Sequence, residues 1–161
     1  MLEPSFHWTK ALARCFDRDR EWAAMSPRRR QRMHLANSMI AEGLLDQQFN
    51  QLLMLEEDGS GFLAEVIKLF CDDSERMMSE LSNLLDQDVV DYQKVDSFVH
   101  QLKGSSSSIG AHNIMVACVH FRQYCEVHDK QGCLRALNMV KHEYYRLQAK
   151  FSILVQLSRD F

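Results

Sequence analysis

One histidine stands among residue types that suit phosphoryl transfer. It lies in the run Phe98-Val99-His100-Gln101-Leu102-Lys103-Gly104-Ser105-Ser106-Ser107-Ser108-Ile109-Gly110-Ala111. An imidazole nitrogen without its proton is a nucleophile, and an unperturbed histidine has one available at neutral pH. Lys103, one helical turn on, places a positive charge beside the ring. Charge spreads over three equatorial oxygens as a phosphoryl group moves, so alignment and electrostatics do most of the catalysis, and a nearby lysine meets that demand. Gly104 and the small serines clear space for another protein's recessed site to close around the imidazole.

The element that must carry these residues is a helix, although its composition argues against one. A glycine in a helix interior costs ~1 kcal/mol relative to alanine, and serine is a weak helix former. The apolar spacing nevertheless runs straight through the glycine and serines. Val95, Phe98, Val99, Leu102, Ser106 and Ile109 recur at steps of three and four, which gives a buried stripe. His100, Lys103, Gly104, Ser107 and Ser108 fall on an adjacent outward stripe. Local disagreement of this kind marks a functional surface.

The other elements read as helices too. Met33, Leu35, Met39, Ile40 and Leu44 give one apolar face before Gly43 interrupts, and Phe49, Leu52, Leu53 and Leu55 give a short second one. After the turn Glu56-Glu57-Asp58-Gly59-Ser60-Gly61, Ser60 is the expected cap of a long helix bearing Phe62, Val66, Leu69, Phe70, Met77, Leu81 and Leu84. Asp88 or Asp91 caps the reactive helix, which Gly110 ends. A further helix from near Asn113 buries Ile114, Val116, Ala117, Val119, Phe121 and Tyr124. The last runs from about Lys130 through Leu134, Leu137, Val140, Tyr144, Leu147, Phe151, Leu154 and Leu157. Nothing reads as a strand. The expected fold is all-α, an antiparallel four-helix bundle with two shorter N-terminal helices covering one end, because short connections lay successive helices side by side.

A chain of 161 residues supports one core. Residues 28–161 are expected to form that domain, with 1–27 as an N-terminal extension in which Phe6, Trp8, Leu12, Phe16 and Trp22 are spread among charges. Arg28, Arg29, Arg30 and Arg32 read as a solvated basic helix start. Residues 1–33 hold eight Lys and Arg against four Asp and Glu, which leaves eleven against eighteen for the rest. So acidic a domain is poorly suited to nucleic acid, whose grip rests on clustered cations. The five cysteines (Cys15, Cys71, Cys118, Cys125 and Cys133) form no paired framework, and no stretch approaches the ~20 apolar residues of a membrane span. A cytoplasmic and nuclear protein without a membrane partner is expected.

Alternatives for the reactive residues are weaker. His112, His120 and His128 with Cys118 and Cys125 are spaced by eights that drift about 80° around a helix, which suits packing better than metal binding. The methionines, Met77, Met78, Met115 and Met139 among them, read as core filling. The glycine-serine run lacks the Gly-x-x-x-x-Gly-Lys-Ser/Thr pattern of a nucleotide phosphate loop, so neither ATP binding nor self-phosphorylation is expected. No hydrolytic triad accompanies His100. A binding-only helical adaptor is the other reading, and His100 with Lys103 argues for a covalent relay instead.

His-x-x-Lys-Gly followed by small residues and Gly110 matches the signature of histidine phosphotransfer domains. The longer His100-Gln101-Leu102-Lys103-Gly104-Ser105-Ser106-Ser107-Ser108-Ile109-Gly110-Ala111 closely resembles the plant branch. The similarity extends to Gly43-Leu44-Leu45-Asp46-Gln47-Gln48-Phe49, Leu69-Phe70-Cys71-Asp72-Asp73-Ser74, Leu84-Leu85-Asp86-Gln87 and Phe121-Arg122-Gln123-Tyr124-Cys125. The resemblance implies that His100 is the phosphoacceptor and that Lys103 supports the phosphoryl group. Gln101, Gly104, Ser107 and Ser108 are expected to meet the partner. It also implies receiver domains of hybrid histidine kinases upstream and response regulators downstream, in cytokinin-type signalling. The chain would have no cofactor of its own, because Mg²⁺ comes with the receiver, and it would act as a monomer. A pseudo branch of the family carries asparagine in place of the histidine, whereas His100 is present here. After Gly110, many plant members interleave a basic pair with apolar residues. This chain reads His112-Asn113-Ile114-Met115, a difference that bears on partner choice, since rim charge mainly tunes association.

Overall fold

The computed structural model describes residues 20, 22–56 and 60–159. Six helices have both ends among the described residues and follow one another: α1 (Pro27–Ala41), α2 (Gln47–Leu55), α3 (Phe62–Leu85), α4 (Tyr92–Ile109), α5 (His112–Glu126) and α6 (Lys130–Arg159). The chain is an all-α bundle. Contacts close a ring in which α3 packs on α4, α4 on α5, α5 on α6 and α6 back on α3. The connections within this ring are short, so each helix lies beside its predecessor in sequence.

Helix ends follow ordinary capping chemistry. Ser26 accepts from the Arg29 amide, with Pro27 in the first helical turn, and Asp46 accepts from the Gln48 amide. Asp91, rather than Asp88, caps α4 by accepting from the Lys94 amide at 3.2 Å. At the start of α3 the cap position falls on Gly61, which is left-handed at φ 70°. The Ser60 hydroxyl accepts from the Phe62 amide at 3.3 Å, so Ser60 acts one residue earlier than expected.

α6 spans 30 residues against 24, 18 and 15 for α3, α4 and α5, so its C-terminal part outruns the ring. α1 and α2 supply cover there. Phe151 of α6 meets Phe49 of α2 at 5.6 Å and Phe70 of α3 at 6.2 Å between ring centroids. Two N-terminal helices covering one end is too simple a description. α1 packs along α6 itself, and residues 20 and 22–24 are helical as well. Most of the expected amphipathic segment before Pro27, with Phe6, Trp8, Leu12 and Phe16, lies outside the described residues, as do residues 57–59 of the expected turn.

Three readings of burial need correction. In α3 the core face is Leu63, Ile67, Phe70, Met77, Leu81 and Leu85, while Leu69 is 64% exposed and Phe62 39%. In α5, Ile114, Ala117, Cys118, Phe121 and Cys125 are buried and Val116 is exposed. Within the arginine cluster only Arg28 is well exposed, and Arg32 is 5% exposed inside the fold rather than solvated. No described helix is long and apolar enough to cross a membrane.

Candidate functional site

The middle of α4 presents the reactive run as a regular helix that buries Val95, Val99, Leu102, Ser106 and Ile109. Two hydroxyls of the serine run bond back to their own helix. Ser105 Oγ donates to the Leu102 carbonyl at 3.2 Å and Ser108 Oγ to the Gly104 carbonyl at 3.0 Å. Such back-bonding satisfies a mid-helix hydroxyl at a slight cost to the helix, which packing of the buried stripe offsets.

His100, Gln101, Gly104, Ser107 and Ser108 are exposed together, and Lys103 is half-buried at the edge of the same surface. Among the described residues nothing lies within 4 Å of a Cβ placed at Gly104, so no contact with them demands a glycine there. Gly110 is different. It closes α4 in the left-handed region at φ 84°, and its carbonyl accepts from the Asp46 amide at 2.9 Å. A Cβ on it would come 2.8 Å from the Phe49 nitrogen and 2.6 Å from Asp46 Oδ1.

α5 adds one residue to this surface. Arg122 donates from Nη1 to Nδ1 of His100 at 3.1 Å. The same guanidinium is gripped by Asp96, through Nε to Oδ1 at 3.0 Å and Nη2 to Oδ2 at 3.3 Å. The Asp96 hydrogen bond pushes the arginine's pKa further up, so it remains a cationic donor. Lys103 has no carboxylate partner among the described residues. Its charge is felt instead at the buried Cys118 thiol, which burial raises to about 12 despite the opposing pull of Lys103.

The chain therefore sets an exposed imidazole, a cation and a patch free of side-chain bulk on one helix face, with an Asp–Arg pair bound to one ring nitrogen. A family model described as the Hpt domain matches residues 65–150. The chain belongs to the Hpt domain family. The match contains the whole reactive run together with Asp96 and Arg122. Among curated Hpt relatives, histidine-containing phosphotransfer protein 2 of rice is 47% identical over 128 residues, which cover 78% of this chain and 86% of that protein. Histidine-containing phosphotransfer protein 1 of Arabidopsis thaliana is 47% identical over 124 residues, covering 76% and 80%. Among solved Hpt structures, a maize histidine-containing phosphotransfer protein superposes with a TM-score of 0.75 at 52% identity, covering 81% of this chain and 96% of its own.

The sequence alone does not single out Asp96 or Arg122. Asp96 stands four residues before His100 and shares its helix face, which is a weak signal. Arg122 fell inside one of the family-like segments, but nothing in its spacing pointed across to His100. The histidines and cysteines weighed as metal ligands do not converge: no group of three or more candidate ligands comes together among the described residues.

Proposed function

We propose that this protein is a phosphorelay intermediate that takes a phosphoryl group onto His100 from the aspartyl phosphate of a hybrid histidine kinase's receiver and passes it to the aspartate of a response regulator. It is a phosphocarrier and not a kinase. The observation that carries the assignment of His100 is its exposure on α4 with Nδ1 engaged by Arg122, which leaves Nε2 as the outward nitrogen. In the tautomer that carries its proton on Nδ1, released by Arg122, the lone pair on Nε2 attacks phosphorus, the N–P bond forms, and the O–P bond breaks with its electron pair returning to the receiver's carboxylate. The ring then gives up one proton to water. The second transfer is the reverse, with a different carboxylate as acceptor.

Lys103, one turn from His100 and without a carboxylate partner among the described residues, supplies positive charge to the transferring oxygens. Gln101, Gly104, Ser107 and Ser108 form the surface on which the receiver docks, and the open space over Gly104 supports that role. Mg²⁺ belongs to the receiver's acidic pocket. Residues 28–161 form the Hpt domain, with an Hpt-like four-helix core in α3–α6 and α1 and α2 as its N-terminal cover, while residues 1–27 form an extension. The protein works as a monomer in cytoplasm and nucleus, in cytokinin-type signalling, without nucleic acid or membrane as a partner. The closed ring of α3–α6 supports the monomer, because it satisfies the apolar stripes internally.

The test is incubation with a radiolabelled phospho-receiver and Mg²⁺, wild type beside His100→Gln. Acid-labile label is expected on the wild type alone. The variant should keep its stability within about 0.5 kcal/mol, as befits an exposed position. Equal labelling of the variant would refute His100 as acceptor. Receiver binding without label on either protein would point to a docking-only adaptor.

A further inference from the structure

We infer that Arg122, held by Asp96, is a positioning residue that preserves the phosphoryl group on His100 against water by occupying Nδ1. The inference rests on His100 being the acceptor. A guanidinium only donates hydrogen bonds and does not give up its proton near neutral pH. At 3.1 Å from Arg122 Nη1, Nδ1 must therefore be the acceptor in this contact. In the neutral ring that leaves the proton on Nε2.

This has opposite consequences before and after transfer. In the unmodified protein, the nitrogen that faces the partner carries the proton and is not nucleophilic. Attack needs the other tautomer: Nε2 loses its proton to water, Nδ1 gains one from water, and Arg122 lets go. After the N–P bond has formed at Nε2, Nδ1 sheds its proton to water and is again a bare acceptor, and the Arg122 contact fits it. Hydrolysis of a phosphoimidazole is promoted when the remaining nitrogen is protonated, because the ring then departs as a neutral imidazole and the phosphoryl group passes to water. A cation that donates to Nδ1 without yielding its proton opposes that protonation both by occupying the lone pair and by its charge.

The geometry suits a fixed device. Asp96 holds the guanidinium with two hydrogen bonds at 3.0 and 3.3 Å, and both partners are about one-third exposed. The planar fork is set by this pairing, so the third contact, to the ring, is made by a pre-oriented donor. Asp96 is also one turn from His100 on its own helix, within α4, whereas Arg122 reaches over from α5. Committing the Asp96 carboxylate to Arg122 keeps it from acting as a proton acceptor for the ring.

Two measurements test this in the full chain. In the unphosphorylated protein, ¹⁵N–¹H correlation spectra of the His100 ring should show Nδ1 bare and Nε2 protonated. Arg122→Gln should mix the two tautomers, and Arg122→Lys should recover part of the wild-type pattern. A wild-type ring protonated on Nδ1 and bare on Nε2 would overturn the inference without touching the relay. Next, wild type and Arg122→Gln are loaded from the same phospho-receiver, freed of it, and followed for loss of label at pH 6. The variant should lose label roughly fivefold faster, the ratio by which a hydrogen bond involving a charged group outweighs a neutral one. Asp96→Asn should move in the same direction by less. Equal loss rates, or no label on Arg122→Gln when the wild type takes it, would overturn the protective role. No label on the wild type would instead overturn the relay reading, and with it this inference.

Discussion

The amide of Asp46 donates to the carbonyl of Gly110 at 2.9 Å, so the glycine that ends the reactive helix is also where the start of α2 is fastened to it. One residue thus serves three demands: a left-handed backbone at φ 84°, a carbonyl turned toward α2, and no Cβ where the backbone of Phe49 passes.

Gly110→Ala should accordingly lower stability by about 1–3 kcal/mol, the scale of a crowded contact added to a strained backbone. Urea unfolding monitored by circular dichroism measures this, and a variant as stable as wild type would mean that α2 shifts freely. Transfer activity should fall less than stability, since His100 lies almost three turns away on the same helix.

Gly104→Gln is expected to do the reverse. Glutamine is the better helix former by up to about 1 kcal/mol, and the space over Gly104 is open, so the isolated protein should become more stable. The added side chain should block the receiver, seen as lost binding heat in calorimetry. Undiminished affinity would show that the partner does not close over this part of α4.

Lys103→Ala should slow phosphoryl transfer roughly tenfold, less than the ~10²-fold or more typical of one stabilising donor in an enclosed enzyme site. Lys103 is half-buried at the surface, where water screens its charge. Rapid-quench transfer from a phospho-receiver would report the rate. A wild-type rate would remove Lys103 from the chemistry.

Stability should also fall on the alkaline side. Burial raises the thiols of Cys118, to about 12, and of Cys125 and Cys133, as well as the phenol of Tyr144. In the unfolded chain these groups lose protons at ordinary values, 9.0 for the thiols and 10.0 for the phenol, while the native state holds them. Above pH 9 the unfolded state binds fewer protons, so unfolding free energy declines by up to about 1.4 kcal/mol per pH unit for each such group. Below pH 8 these four groups should add no slope. Urea titrations at pH 8, 9, 10 and 11 would show the decline, and a flat profile would contradict their burial.

The inward faces of α4 and α6 are readable because their buried apolar residues recur at steps of three and four over most of each helix. Val95, Val99, Leu102 and Ile109 leave one possible inward face, as do Val140, Tyr144, Leu147, Phe151 and Leu154. α3 is harder to read: Phe70, Met77 and Leu81 lie inward as expected, but Leu63, Ile67 and Leu85 are buried in place of their neighbours Phe62, Val66 and Leu84. It carries apolar neighbours at Phe62-Leu63, Val66-Ile67 and Leu69-Phe70, and periodicity alone cannot choose between two adjacent faces 100° apart. Packing against α4 and α6 chose Leu63, Ile67 and Phe70. Arg32 looked solvated for a similar reason, since a charge is normally outward unless a neighbouring element covers it.

By itself the sequence determined the all-α class, the reactive run and its outward stripe, and the helix stop at Gly110, because each depends on residues a few positions apart along one helix. The tertiary structure alone decided that Arg122, twenty-two residues beyond His100 and on another helix, reaches Nδ1, and that Asp46 meets Gly110. Hydrogen bonds between helices depend on how the elements are rotated and stacked, and that is set by the packing of the whole core rather than by spacing within any one segment.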